Sequence, residues 1–197
     1  MIVMKFGGTS VGSGERIRNV AHIAQHVRDE KGVPPVVVVS AMSGVTDMLV
    51  RAARTAADGD RRSYGLLRDD LQQRHEQAVM DCQIEEAIAR PLNSEINTLL
   101  DWLETLCQSI YTLGELTPRG LDVVSGLGER ISARITAATM MSMGIAAQAI
   151  EATEVIVTSS DFGDAKPLLA QTRERAKSLH ELVSQGIVPV VTGFIAA

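Results

Sequence analysis

The chain has 197 residues, of which 45% are hydrophobic and 22% charged, and it carries a formal net charge of −5. An acidic balance without a basic stripe, and only 3% aromatic residues, argue against a nucleic-acid partner, which needs cationic surface and stacking platforms. No apolar run reaches the roughly 18 residues that a membrane span needs, so the expectation is a cytoplasmic chain with one substantial core.

The first predicted element is a short strand through Val3, Met4, Lys5 and Phe6, which runs into Gly7-Gly8-Thr9-Ser10. Glycines at a strand-to-helix turn let backbone N–H groups approach an anion, a helix N-terminus adds positive potential, and a lysine supplies full charge. The pattern reads as a phosphate site; it also suits a plain tight turn beside a surface lysine. No G-x-x-x-x-G-K-[ST] segment is present. Gly126-Leu127-Gly128-Glu129-Arg130-Ile131 and Gly12-Ser13-Gly14-Glu15-Arg16-Ile17 both lack the third glycine of a dinucleotide fingerprint.

Ile17, Val20, Ala21, Ala24 and Val27 recur at helical spacing. Gly32 and Pro34-Pro35 end that helix, and the bare apolar run Val36–Val39 suits a strand buried on both faces of a parallel sheet. A small-residue loop, Ser40 to Thr46, precedes a helix from about Asp47 to Ala57. This β-α-β-α start predicts a doubly wound α/β fold with a mainly parallel sheet, whose ligands bind beyond the carboxyl ends of the strands.

From about 61 to 111 the chain is predicted to form a protruding helical hairpin inserted into the α/β frame. An apolar stripe from Ile84 to Ile110 serves packing, and Pro91 kinks or divides the second arm. After a turn at Thr117-Pro118-Arg119-Gly120, a long helix is expected from about Asp122 to Met143. Short strands follow at Ala146–Ile150 and Val155–Thr158, then a turn at Phe162-Gly163. Pro167 suits the first position of a helix running to about Gln185, and Ile187–Phe194 closes the sheet. Cys82 and Cys107 read as reduced core thiols. His22, His26, His75 and His180 form no ligand cluster, and no protein metal site is expected.

Taken together, Met4-Lys5-Phe6-Gly7-Gly8-Thr9-Ser10-Val11, Val39 to Thr46, Gly114 to Arg119, Gly128-Glu129-Arg130-Ile131-Ser132, Phe162-Gly163-Asp164-Ala165 and Ile187 to Ile195 resemble the aspartate kinases of the amino acid kinase superfamily. The resemblance implies ATP-dependent phosphorylation of the aspartate side-chain carboxylate with Mg2+, the first step toward lysine, threonine and methionine. It implies that Lys5 contacts the transferring phosphoryl group and is the catalytic residue. Phe6, Gly7, Gly8, Thr9 and Ser10 would line the ATP phosphates, and Ser40, Thr46, Glu129 and Phe162 the amino acid. Thr46 also suits a plain helix cap, Glu129 a solvated helix carboxylate paired with an arginine, and Phe162 a turn-anchoring core aromatic. Arg130 is expected to orient Glu129.

In that family the last strand leads into a loop reading roughly T-T-L-G-R-G-G-S-D, then a nucleotide lobe and ACT domains. The expectation for residues 1–197 is therefore the amino acid- and phosphate-binding part of such a kinase domain. Its partners would be L-aspartate, ATP, and either further copies or the C-terminal half. Other readings are a non-catalytic oligomerisation or regulatory piece, or a kinase of another small amino acid.

Overall fold

The computed structural model describes residues 1–159 and 165–195. In chain order the elements are β1 (Val3–Phe6), α1 (Gly14–Lys31), β2 (Val36–Val39), α2 (Val45–Ala57), α3 (Arg61–Asp81), α4 (Glu86–Leu113), α5 (Pro118–Ser125) and α6 (Leu127–Ser142). Then come β3 (Ala147–Ile150), α7 (Ala152–Val155), α8 (Leu169–Arg175), α9 (Lys177–Ser184) and β4 (Val188–Thr192). No helix among the described residues is long and apolar enough to cross a membrane.

The four strands form one sheet in the order β1-β2-β4-β3, and every pairing is parallel. Parallel strands need crossovers, and crossovers are right-handed. The chain moves one way across the sheet from β1 through β2 to β3, then reverses to insert β4. Helices before the reversal therefore cover one face and those after it cover the other.

The two cores follow this division. Val37, Val39, Val188 and Val190 join α1, α2, α3, α4 and α6 in a large core. Val36, Ile150 and Val191 join Ala152, Val155 and Leu179 in a smaller one on the opposite face. Alternate residues of β2 thus bury in different cores, which is why its sequence is unbroken valine. The fold is a doubly wound, parallel α/β sheet, as the sequence pattern predicts.

Helix α6 occupies the centre, with twelve buried residues. The hairpin of α3 and α4 is well placed by the pattern but does not protrude. Leu71, Ile96, Leu100 and Leu103 are fully buried in the large core. Helix α4 also runs through Pro91 without dividing. The ring removes one N–H near the start of the helix, where Ala87, the residue whose carbonyl it would have met, is exposed.

Three stretches differ from expectation. Thr117 caps Gly120 N–H at 3.0 Å with Pro118 in the first turn, so the helix begins before Asp122, and a joint at Gly126 divides α5 from α6. A Cβ on Gly126 would lie 2.6 Å from Ile195 Cγ2, so the joint is where Ile195 packs closely. Of the segment expected as a strand at Val155–Thr158, only Val155 is helical, closing the turn α7 that starts where the Thr192 hydroxyl accepts the Ala152 N–H at 2.8 Å; Ile156 beyond it is extended, but the segment joins no strand of the four-stranded sheet. Thr158 forms an isolated antiparallel bridge with Pro167, so that proline precedes α8 and does not start it, and the expected single helix is two, α8 and α9. Cys82 and Cys107 are free and buried, and burial pushes both thiols up to about 11.

Candidate functional site

Because β1 and β2 are adjacent and parallel, the loops after Phe6 and after Val39 leave the same edge of the sheet. They are bonded to each other. The Ser40 N–H donates to the Phe6 carbonyl at 3.1 Å, and the Ser43 N–H donates to the Gly8 carbonyl at 3.2 Å. A side chain at Gly8 would place its Cβ 2.9 Å from the Ala41 carbonyl oxygen, so the loops approach closely only because residue 8 is glycine. Beside it, a Cβ on Gly7 would meet nothing within 4 Å, leaving that side of the turn open. Thr9 and Ser10 are exposed on the same turn, and the Ser10 N–H closes it on the Gly7 carbonyl at 2.8 Å. Lys5 is exposed in β1, opposite Val38 in register, and Phe6 beside it is half-buried.

Helix α2 opens at Gly44, whose φ of 81° turns the loop into the helix without a side-chain cap. The Val45 N–H donates to the Met42 carbonyl at 3.0 Å, glycine offers no side chain to cap the others, and the half-buried Thr46 lies in that first turn. Ser40, half-buried, starts the same loop.

The first turn of α6 closes the edge from below. Gly128 lets it approach, since a Cβ there would fall 2.7 Å from Ala41 Cβ. Glu129 Oε1 accepts the Ala41 N–H at 3.1 Å. Glu129 is only 3% exposed, and its Oε2 has no hydrogen-bond partner among the described residues. Burial pushes its carboxyl above the ordinary value, with the Ala41 bond working the other way.

Sequence positions 5–10, 40–46 and 129 are therefore brought to one edge. Phe162 lies outside the described residues. Arg130 does not orient Glu129. Its Nη1 pairs with Glu151 Oε2 at 2.8 Å and its guanidinium lies 5.6 Å from the centre of the Trp102 ring, while Arg134 also pairs with Glu151, at 3.1 Å. Two contacts were not foreseen: Arg16 donates to the Thr9 carbonyl at 2.6 Å and Arg74 to the Ser43 carbonyl at 2.6 Å. Local spacing carries no signal for the second, which joins residues 31 apart.

A lysine, open glycine backbone and an uncapped helix start are suited to an anion. A buried carboxylate with one unused oxygen is suited to a cationic or hydrogen-donating group, because leaving it unpaired is unfavourable.

Comparison with known proteins adds to this geometry. The chain is 32% identical to the chloroplastic aspartokinase 1 of Arabidopsis thaliana over 197 residues, covering 98% of this chain and 33% of that protein. It is 32% identical to a chloroplastic bifunctional aspartokinase/homoserine dehydrogenase 1 of Zea mays, covering 99% of this chain and 21% of that one. The chain thus spans a third or less of the length of these relatives. Among solved structures, E. coli aspartokinase III in complex with aspartate and ADP matches with a TM-score of 0.87 at 24% identity, over 100% of this chain and 41% of that one, a likeness of fold. The model of the amino acid kinase family matches residues 1–197, and the chain belongs to that family.

Proposed function

We propose that this chain carries the amino acid- and phosphate-binding part of an aspartate kinase, which transfers the γ-phosphoryl group of ATP to the side-chain carboxylate of L-aspartate and forms 4-phospho-L-aspartate. The observation that carries the reading is Glu129, a buried carboxylate fixed through one oxygen and without a partner at the other among the described residues, beside the glycine turn that follows Lys5 and Phe6. The second oxygen suits the substrate ammonium group. Lys5, Gly7 and Gly8 suit the phosphates, with Thr9 and Ser10 on the same turn. Ser40 and Thr46, on the neighbouring loop and the first turn of α2, suit the amino acid substrate.

The reaction asks for little acid–base chemistry. An aspartate side chain, with a pKa near ~4, is already ionised at neutral pH and is itself the nucleophile. The demand is electrostatic: two anions must meet, and negative charge on the phosphoryl oxygens must be stabilised. Among the described residues no three His, Cys, Asp or Glu side chains gather into a metal-binding group. Mg2+ would then enter on the phosphates of the nucleotide, a common arrangement for this ion. The aspartokinase relatives, and the aspartate and ADP named with the E. coli structure, support this reading over other amino acid acceptors.

The test traps acyl phosphate with hydroxylamine in the presence of ATP, Mg2+ and aspartate, with glutamate and acetylglutamate as comparison substrates. Since the chain spans about a third of its relatives, it is assayed alone and with the remaining part of a longer aspartokinase supplied in cis or in trans. Aspartyl hydroxamate that disappears with Lys5→Ala supports the proposal. Product from another amino acid alone, or none from any after complementation, overturns it.

A further inference from the structure

Helix α3 reaches both loops of the site. Near its middle, Arg74 Nη2 donates to the Ser43 carbonyl at 2.6 Å. The N–H of the same Ser43 donates to the Gly8 carbonyl at 3.2 Å, so Ser43 is held from both sides of its backbone. At its end, α3 abuts the start of α1, the helix that follows the glycine turn. A Cβ on Gly14 would lie 2.5 Å from the Ala78 carbonyl and 2.8 Å from the Cys82 nitrogen. Cys82 Sγ donates to the Gly14 carbonyl at 3.5 Å, and Arg18 Nη1 donates to the Cys82 carbonyl at 2.8 Å.

One rigid helix thus touches the Ser40–Gly44 loop and the base of the glycine turn. Its buried face, including Leu67, Leu71 and Ala78, fixes its place in the large core. The contact to Gly14 is backbone against backbone and cannot be adjusted by a rotamer. The contact to Ser43 is made by the tip of one long, exposed side chain.

We propose that Arg74 is a positioning residue for this site: it holds the Ser43 peptide against Gly8 and so sets the spacing between the loop offered to the amino acid and the turn offered to the phosphates. An arginine suits this task because its guanidinium stays charged and its bond to a carbonyl is charge-assisted. The consequence for turnover rests on the kinase reading; the mechanical claim does not.

The experiment compares wild type, Arg74→Ala and Arg74→Lys. The first readout is amide hydrogen exchange at Ser43. Arg74→Ala is expected to speed exchange there by about 3- to 30-fold, the range that loss of one partly exposed charge-assisted bond supports, while amides in the centre of α6 remain protected. Arg74→Lys, which can still donate to the carbonyl, is expected to restore most of the protection. The second readout is steady-state kinetics of the complemented kinase, where Arg74→Ala is expected to raise KM for the amino acid several-fold more than it lowers kcat. Unchanged exchange at Ser43 in Arg74→Ala overturns the proposal, as does faster exchange spread evenly over the whole chain. An inactive wild type sinks the kinase reading while the Ser43 exchange still decides the role of Arg74.

Discussion

Glu129 Oε1 and the Ala41 N–H, 88 residues apart in sequence, are hydrogen-bonded at 3.1 Å. That bond ties the first turn of the central helix to the loop at the end of β2, and it leaves Oε2 facing no partner among the described residues. A carboxylate in this position is unfavourable for the empty protein and useful for binding a cation.

The first prediction follows from that conflict. Burial raises the folded pKa of Glu129, so between its ordinary value near 4.5 and its folded value the folded state holds more proton than the unfolded one. Stability contributed by this group is therefore fully present below pH 4.5 and is lost as pH rises through the folded pKa. Glu129→Gln removes the penalty and should raise Tm at pH 7, by about 2–4 °C for each kcal/mol relieved, with the gain over wild type vanishing near pH 4. The same variant should weaken aspartate binding by at least about tenfold, the effect of losing a charged hydrogen-bond partner. Thermal melts from pH 4 to 8, with calorimetric titration of aspartate, check both.

Lys5 should behave in the opposite way. It is exposed in an edge strand, so Lys5→Ala should leave Tm within about 1–2 °C of wild type, as for an ordinary surface change. If it faces the transferring phosphoryl group, removing its charge should lower hydroxamate formation by about 10²–10³-fold, as for other groups that stabilise developing charge. A variant that melts normally yet turns over at the wild-type rate would place the phosphoryl contact elsewhere.

The frame and half of the site were legible in the sequence for one reason: both depend on short segments with strong local chemistry. Four valines in a row name a strand buried on two faces, and Lys5-Phe6-Gly7-Gly8 names a strand entering an open turn. What local pattern could not show is who answers each group across the fold. Nothing near Arg130 signals that its partner is Glu151, because α6 must first pack beside the start of α7. The close approach at Gly126 was hidden for the same reason, since the side chain packed against it is Ile195, far along the chain. The segment expected as a strand from Val155 is extended at Ile156 but pairs only through the Thr158–Pro167 bridge, because its pairing is decided by tertiary contacts and not by β propensity.

That regrouping of Arg130 gives a third prediction. Its ion pair with Glu151 and its position over Trp102 make it part of the packing between α4, α6 and α7. Arg130→Met keeps the aliphatic stem and leaves Arg134 to pair with Glu151. It should lower Tm by a few degrees, about 1 kcal/mol for a half-buried pair, and leave aspartate affinity unchanged. An affinity loss as large as that of Glu129→Gln, measured by the same titration, would return Arg130 to the site.

His75 gives a fourth. It is fully buried on α3, its Nδ1 is 2.7 Å from the Leu71 carbonyl, and its Nε2 has no partner among the described residues. Burial holds its pKa down to about 4, against 6.5 when free. The unfolded chain therefore takes up a proton that the folded one refuses, and stability falls as pH drops from about 6.5 to about 4. The gap, at about 1.36 kcal/mol per unit, amounts to about 3 kcal/mol. His75→Leu should flatten this limb. Denaturant melts at pH 7, 5.5 and 4.5 check it: a variant whose stability falls as steeply as wild type means the acid sensitivity lies in other groups.

The last prediction sets two glycines against each other. Gly14 opens α1, and Gly65 lies inside α3, where alanine is intrinsically favoured by about 1 kcal/mol. At Gly65 a Cβ would meet nothing within 4 Å, so Gly65→Ala should stabilise by about 0.4–1 kcal/mol. At Gly14 the Cβ would lie 2.5 Å from both the Ala78 carbonyl and Asp81 Cβ, contacts that backbone cannot yield without moving α3. Gly14→Ala should therefore destabilise by about 1–3 kcal/mol, the usual cost of overpacking. Because the same displacement pulls α3 away from the loops it touches, it should also speed amide exchange at Ser43, whereas Gly65→Ala should not. Equal stabilisation by both alanines would mean that α3 is not held against the start of α1, and the brace across the two loops would be gone with it.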